Sequence, residues 1–122
     1  MARKKLPPTL AKRSDCPIAT ALDLVGDKWT LLLIRDIGLF DRHRNKDFQS
    51  GAEGIPSNIL ASRLKHLVEV GILEKRLYEK HPPRYEYYLT AAGKDLVPVV
   101  RSLATWSANN VQGISIPAKL RR

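Results

Sequence analysis

At Gly71 the apolar period of this sequence changes from about 3.6 residues to about 2. Upstream, Leu60, Leu64 and Leu67 recur at i, i+4 and i+7, the spacing of one narrow helical stripe laid on a core. Downstream, Leu73, Lys75 and Leu77 alternate with Glu74, Arg76 and Tyr78, and later Tyr85, Tyr87 and Leu89 alternate with Arg84, Glu86 and Tyr88. A glycine that stops a helix by taking positive φ, followed at once by strand alternation, leaves few arrangements open. An amphipathic helix must lead straight into a β-hairpin.

The helix belongs to the stretch Gly54–Val70, with Pro56 in its first turn and Ser57 as its expected cap. The face opposite the leucines carries Asn58, Ser62, Lys65 and Glu69, flanked by Ser57, Ala61 and His66. Two readings fit it. One is an ordinary surface helix with a solvated face. The other is a recognition helix entering a DNA major groove N-terminus first, where Ser and Asn bond base edges and Lys and Arg reach guanine or phosphate. In that second reading Asn58 and Ser62 meet base edges, Ser57 meets a phosphate, and Lys65 and His66 reach backbone. Arg63 flanks the apolar stripe, so it serves either a phosphate or a buried ion pair.

The surrounding chain bears on the choice. Glu79–Pro83 forms a stiff turn whose prolines need donate no ladder bond, with Arg76, Lys80, His81 and Arg84 at or near the tip. A polar hairpin tip is ordinary by itself; directly after a helix-turn-helix it becomes a wing lying on phosphates or in a minor groove. Before Gly54 the sequence predicts three helices. Ser14 or Asp15 caps the first, with Pro17 in its opening turn and Ile18, Ala21, Leu22 and Val25 as its stripe. Asp27 caps the second, Lys28–Leu39, whose Trp29, Leu31, Leu32, Leu33, Ile34 and Ile37 cover more than one face and mark the centre of the core. The third is short, Lys46–Ala52, anchored by Phe48 but weakened by Gln49-Ser50-Gly51. A tight glycine-containing turn then leads to the fourth, giving a helix-turn-helix pattern.

After the hairpin, Thr90 is expected to cap a long helix running to about Asn109, with Leu96, Val99, Val100, Leu103 and Trp106 as its seam. Pro98 inside it should bend the helix. Val97, Ala104, Ala108 and Val111 lie off that seam, and a chain of 122 residues has little spare core to receive them. A second apolar flank there points to a partner chain.

Charge narrows the partner. Lys and Arg number 21 against 12 Asp and Glu, a net charge of +9, which draws polyanions at long range. Residues 1–13, with Arg3, Lys4, Lys5, Lys12 and Arg13, read as a flexible basic arm, residues 14–111 as one folded domain, and residues 112–122 as a basic tail without firm structure. No apolar run approaches the roughly 20 residues that span a bilayer, and the first residues lack an apolar signal core. The chain is therefore expected in the cytoplasm, away from membranes. His43, His66 and His81 lie far apart, with no Cys or carboxylate at metal-ligand spacing. There is no Gly-rich phosphate loop and no nucleophile motif, so neither cofactor nor catalysis is expected.

The order helix, helix, helix-turn-helix, hairpin, long helix is that of a winged helix, an α+β fold that is mainly α. The residues also match a family. Cys16-Pro17-Ile18, Leu22–Thr30 (Leu-Asp-Leu-Val-Gly-Asp-Lys-Trp-Thr), Gly54-Ile55, Leu60–Leu67, Gly71-Ile72-Leu73, Pro82–Gly93 and Trp106 resemble the HxlR-type bacterial regulators. The resemblance implies a homodimeric transcription factor on pseudo-palindromic operator DNA. The first and last helices would make the dimer, through Ile18, Leu22, Val97, Val100, Ala104 and Trp106. It also makes Cys16, the one cysteine of the sequence, a candidate sensor of oxidants or electrophiles, against the alternative of a cysteine that packs the dimer. One segment departs: members carry a Gly-Pro-x-Arg-Phe-like stretch where this chain has Asp41–Phe48, so Arg42, Arg44 and Lys46 become candidate extra phosphate contacts. A winged helix used for protein or RNA contact is the alternative function.

Overall fold

The computed structural model describes residues 5–6 and 13–121; Arg3, Lys4 and Lys12 of the expected arm lie outside them. The elements in order are α1 (Pro17–Val25), α2 (Thr30–Leu39), α3 (Asn45–Gln49), α4 (Ser57–Glu69), β1 (Leu73–Lys80), β2 (Pro83–Leu89), α5 (Ala91–Lys94), α6 (Val97–Asn110) and a 3-10 turn Ala118–Leu120. Leu33, Ile34 and Ile37 of α2 meet Phe48, the three leucines of α4, Ile72, and Leu73 and Leu89 at the hairpin base in one core. The winged helix-turn-helix order holds.

Several helix starts differ from expectation. Cys16, not Ser14 or Asp15, is the N-cap of α1; the Ser14 hydroxyl accepts from the Cys16 N–H at 3.1 Å, one step outside the helix. Pro56, extended at ψ 144°, is the N-cap of α4, so Ser57 is its first helical residue and caps nothing. Asp27 does hold the start of α2: its Oδ2 accepts from the Trp29 and Thr30 N–H groups, each at 3.0 Å. At the other end of α4, Gly71 takes φ 90° and the chain turns into β1.

The expected long last helix is two. The Thr90 hydroxyl caps only α5, accepting from the Gly93 N–H at 3.2 Å, and a turn at Asp95-Leu96 separates α5 from α6. Pro98 thus sits in the first turn of α6, where a missing N–H costs no helical bond, and it bends nothing. The apolar faces of α6 are also reassigned. Val100 is buried and Val97 packs against the core, whereas Val99, Leu103 and Trp106 stand exposed. The tail is not featureless either: its 3-10 turn brings the Lys119 ammonium to 5.8 Å from the Phe40 ring centre.

The two strands pair antiparallel from Leu73 opposite Leu89 to Lys80 opposite Pro83, with a bulge that leaves Tyr78 unopposed. Of the two strands only Leu73 and Leu89 are buried, so the rest of the hairpin projects from the body. Its base is tied on through the loop before α3, where the Tyr87 N–H donates to the His43 carbonyl at 2.8 Å.

Candidate nucleic-acid interface

The placement of α4 follows from its sequence. Burying Leu60, Leu64 and Leu67 turns Ser57, Asn58, Ala61, Ser62, Lys65 and Glu69 outward, all exposed, with His66 half-buried at the margin. Among the described residues, the side chains of Asn58, Ser62 and Lys65 make no hydrogen bond or ion pair within the chain. A 13-residue helix with no acidic residue in its first turn therefore presents unsatisfied donors and acceptors, with positive N-terminal dipole, to whatever approaches.

Arg63 is spoken for. Its guanidinium lies 3.6 Å from Asp27 Oδ1, which ties α4 to the start of α2. Burial pushes the Asp27 carboxyl up, but the Thr30 hydroxyl and the Trp29 and Thr30 N–H groups, helped by Arg63, outweigh it and hold the group below its ordinary 3.8. A second cluster fixes the turn before α4. Arg35 of α2 bonds Glu53 (Nη1 to Oε2, 3.0 Å) and Asp36 (Nη2 to Oδ1, 2.8 Å), and Arg42 stands 3.6 Å from the same Asp36 oxygen. Burial raises the Asp36 carboxyl, partly countered by Arg35. Hydrogen bonding to Arg35 holds Glu53 down. Adjacent Arg35-Asp36 and a distant Glu53 carry no spacing signal, so the pattern of the sequence did not mark this cluster.

On the hairpin, the expected basic cluster is divided. Lys80 and His81 sit exposed at the tip, without an ion pair among the described residues. Arg84, beside them, is 3.5 Å from Glu79 in an exposed pair. Arg76 is not at the tip: it stands mid-strand opposite Glu86, paired with Glu74 and laid over the Tyr88 ring at 3.9 Å. The Tyr88 ring stacks in turn on His43 at 4.3 Å. Of the three basic residues before α3, Arg42 is engaged with Asp36, and Arg44 bonds Glu86 at 3.0 Å while covering Tyr78 at 3.9 Å. Lys46 alone of these three has no partner among the described residues.

Away from this surface, Ile18 (70% exposed) and Leu22 on α1, and Leu103 and Trp106 (62% exposed) on α6, form apolar surface uncovered by the described chain. Cys16 is exposed, and the neighbouring Arg13 is turned to Asp23 at 2.7 Å. Among the described residues, no group of three or more His, Cys, Asp or Glu side chains is placed to hold a metal ion, and no helix is long and apolar enough to cross a membrane.

Comparison with known proteins places these features in a lineage. A family model described as HxlR-like helix-turn-helix matches residues 24–115. Mb3122 of Mycobacterium bovis, described as an uncharacterised HTH-type transcriptional regulator, is 42% identical over 89 residues, 73% of this chain and 55% of that protein. The chain thus spans about half the length of these mycobacterial relatives. YdeP of Bacillus subtilis, with the same description, is 31% identical over 75% of this chain and 70% of its own. Among solved structures, one titled as the redox regulator HypR in its oxidised form superposes with a TM-score of 0.67 at 31% identity, covering 78% of this chain and 97% of HypR.

Proposed function

This chain belongs to the HxlR-like helix-turn-helix family, and from that premise we propose that it is a transcriptional regulator binding pseudo-palindromic operator DNA as a homodimer. The observation that carries the reading is the outward face of α4, where Asn58, Ser62 and Lys65 stand exposed, unpaired among the described residues, on a helix locked from behind by three buried leucines. Asn58 and Ser62 read base edges, Ser57 meets a phosphate, and Lys65 and His66 reach the backbone. Lys80, His81 and Arg84 bring the wing to the flanking phosphates. Arg63 holds α4 against Asp27 and acts as a positioning residue. Arg76 orders the hairpin through Tyr88 and adds charge from its side. Such a role places the protein in the cytoplasm with the chromosome.

The dimer uses α1 and α6. Ile18, Leu22, Ala104 and Trp106 remain in the proposed interface, joined by Val99 and Leu103, while Val97 and Val100 support it from the core. Cys16, exposed at the N-cap of α1 on the same proposed interface helix, is the oxidant-responsive group. With a single cysteine per chain, oxidation joins two thiols from two subunits or one thiol and a small thiol, two hydrogens leaving to the oxidant. Diamide treatment is expected to lower operator affinity; unchanged affinity removes the sensor.

Selection from a random duplex pool tests the whole reading. It should return a palindrome with half-sites about one helical turn apart. Recovery of no consensus, with equal retention of RNA in a filter assay, would instead favour a winged helix for RNA or protein contact.

A further inference from the structure

Between α3 and the outer part of the hairpin lies a cleft of about 400 Å³, within the range that holds one small molecule. Tyr78, Tyr85, Tyr87 and Pro83 line it together with the cations Arg44, Lys46 and Arg84; the Arg44 guanidinium lies over one face of the Tyr78 ring at 3.9 Å and the Lys75 ammonium over one face of Tyr85 at 4.6 Å. Among the described residues no carboxylate lines it. Behind the lining, Glu86 bonds Arg44 at 3.0 Å and Glu79 stands 3.5 Å from Arg84. Two of the three positive charges are thus matched, and Lys46 is left as the one cleft cation without a partner among the described residues. Asn45 and Gln49 add neutral hydrogen-bonding groups on the α3 side.

A pocket with one unbalanced positive charge and tyrosine walls selects by charge and by shape. A multiply charged anion gains little beyond Lys46, since Arg44 is already held by a carboxylate and by the Tyr78 face. A small aliphatic anion makes no use of the ring surface that Arg44 and Lys75 leave uncovered. We propose that this cleft binds a small planar monoanion, an aromatic carboxylate, with its carboxylate on Lys46 and its ring against the tyrosines. Neither α4 nor the exposed faces of α1 and α6 line the site, so it lies apart from the surfaces proposed above for DNA and for the second copy.

Titration of the free 122-residue chain with benzoate, acetate and inorganic phosphate, followed by amide chemical shifts, tests this. Benzoate should bind with Kd on the order of 1 mM, fitting a ligand of its size, and move resonances of Lys46, Gln49, Tyr78 and Tyr85. Acetate and phosphate should bind more weakly. Lys46→Gln should weaken benzoate by about two- to fivefold, as loss of an exposed charge pair does, whereas Lys28→Gln, which removes the same charge from outside the cleft lining, should not. Failure of benzoate to shift these resonances, phosphate binding as tightly as benzoate, or an equal loss in both variants would each overturn the site.

Discussion

The Asp27 carboxylate closes the start of α2 and reaches back to α4 in one geometry. One oxygen takes two backbone N–H groups, and the other takes the Thr30 hydroxyl and faces Arg63. Asp27→Ala should cost about 1 kcal/mol in urea denaturation, the usual loss for an N-terminal capping side chain, and lower duplex affinity through looser seating of α4. The acid response has a definite sign. Folding lowers the carboxyl below its ordinary 3.8, so its contribution is full above that value and fades as pH falls through the lower folded one. The stability gap between wild type and Asp27→Ala should therefore narrow in a denaturation series carried below 3.8. Asn58 is the contrasting residue, exposed and bonded to nothing among the described residues. Asn58→Ala should leave stability unchanged and reduce discrimination between operator and random duplex by about 1–3 kcal/mol. Competition binding that shows undiminished discrimination would take Asn58 out of the interface.

Among the elements, the hairpin is held at its base and free at its end. Leu73 and Leu89 are in the core, Tyr87 bridges to the His43 carbonyl, and His43 Nδ1 and Nε2 lie 2.8 Å from the Tyr87 carbonyl and an Asp41 carboxylate oxygen. Beyond that, charge and aromatic faces order the strands. Combined Lys80→Ala and Arg84→Ala should weaken binding to all duplexes alike and flatten the salt dependence by about one unit for each phosphate the wing no longer neutralises. Titrations at several salt concentrations with the wild-type slope would take the wing off the backbone. This element was legible in the sequence because alternation and two prolines define it, as the leucine spacing defines α4. What stayed hidden is the physics that period cannot carry. The bulge at Tyr78 and the side position of Arg76 arise from register. The split between α5 and α6 arises because Pro98 has no N–H for the Lys94 carbonyl and its ring crowds that group, so α5 ends at Lys94 and α6 begins with the proline in its first turn. Which α6 valines are buried depends on where α2 and the hairpin base lie: spacing put Val100 on the core seam, where it is buried, but put Val99 there too and left Val97 off it, and the structure reverses those two.

At the scale of the whole molecule, the core accounts for one side of α1 and α6 and leaves the other bare. Ile18, Leu22, Leu103 and Trp106 are large apolar residues exposed on two helices that bracket the domain, the pattern of a surface completed by another chain. A second copy is the natural occupant if α4 is to read DNA twice, since a two-fold dimer presents its recognition helices about 34 Å apart, one turn of the duplex. The wing and α4 would be untouched by an α1–α6 interface, so assembly and recognition can be separated by mutation. Trp106→Glu places a charge where the ring is 62% exposed, so the chain should still fold, with an unchanged circular dichroism spectrum. It should sediment as a monomer and lose about 10²- to 10⁴-fold in affinity for a full palindrome, the gain that linking two sites provides. Affinity for a single half-site should barely move. A variant that remains dimeric and binds the palindrome like wild type would show that the bare face serves another partner, and the two-fold reading of the operator would have to be given up.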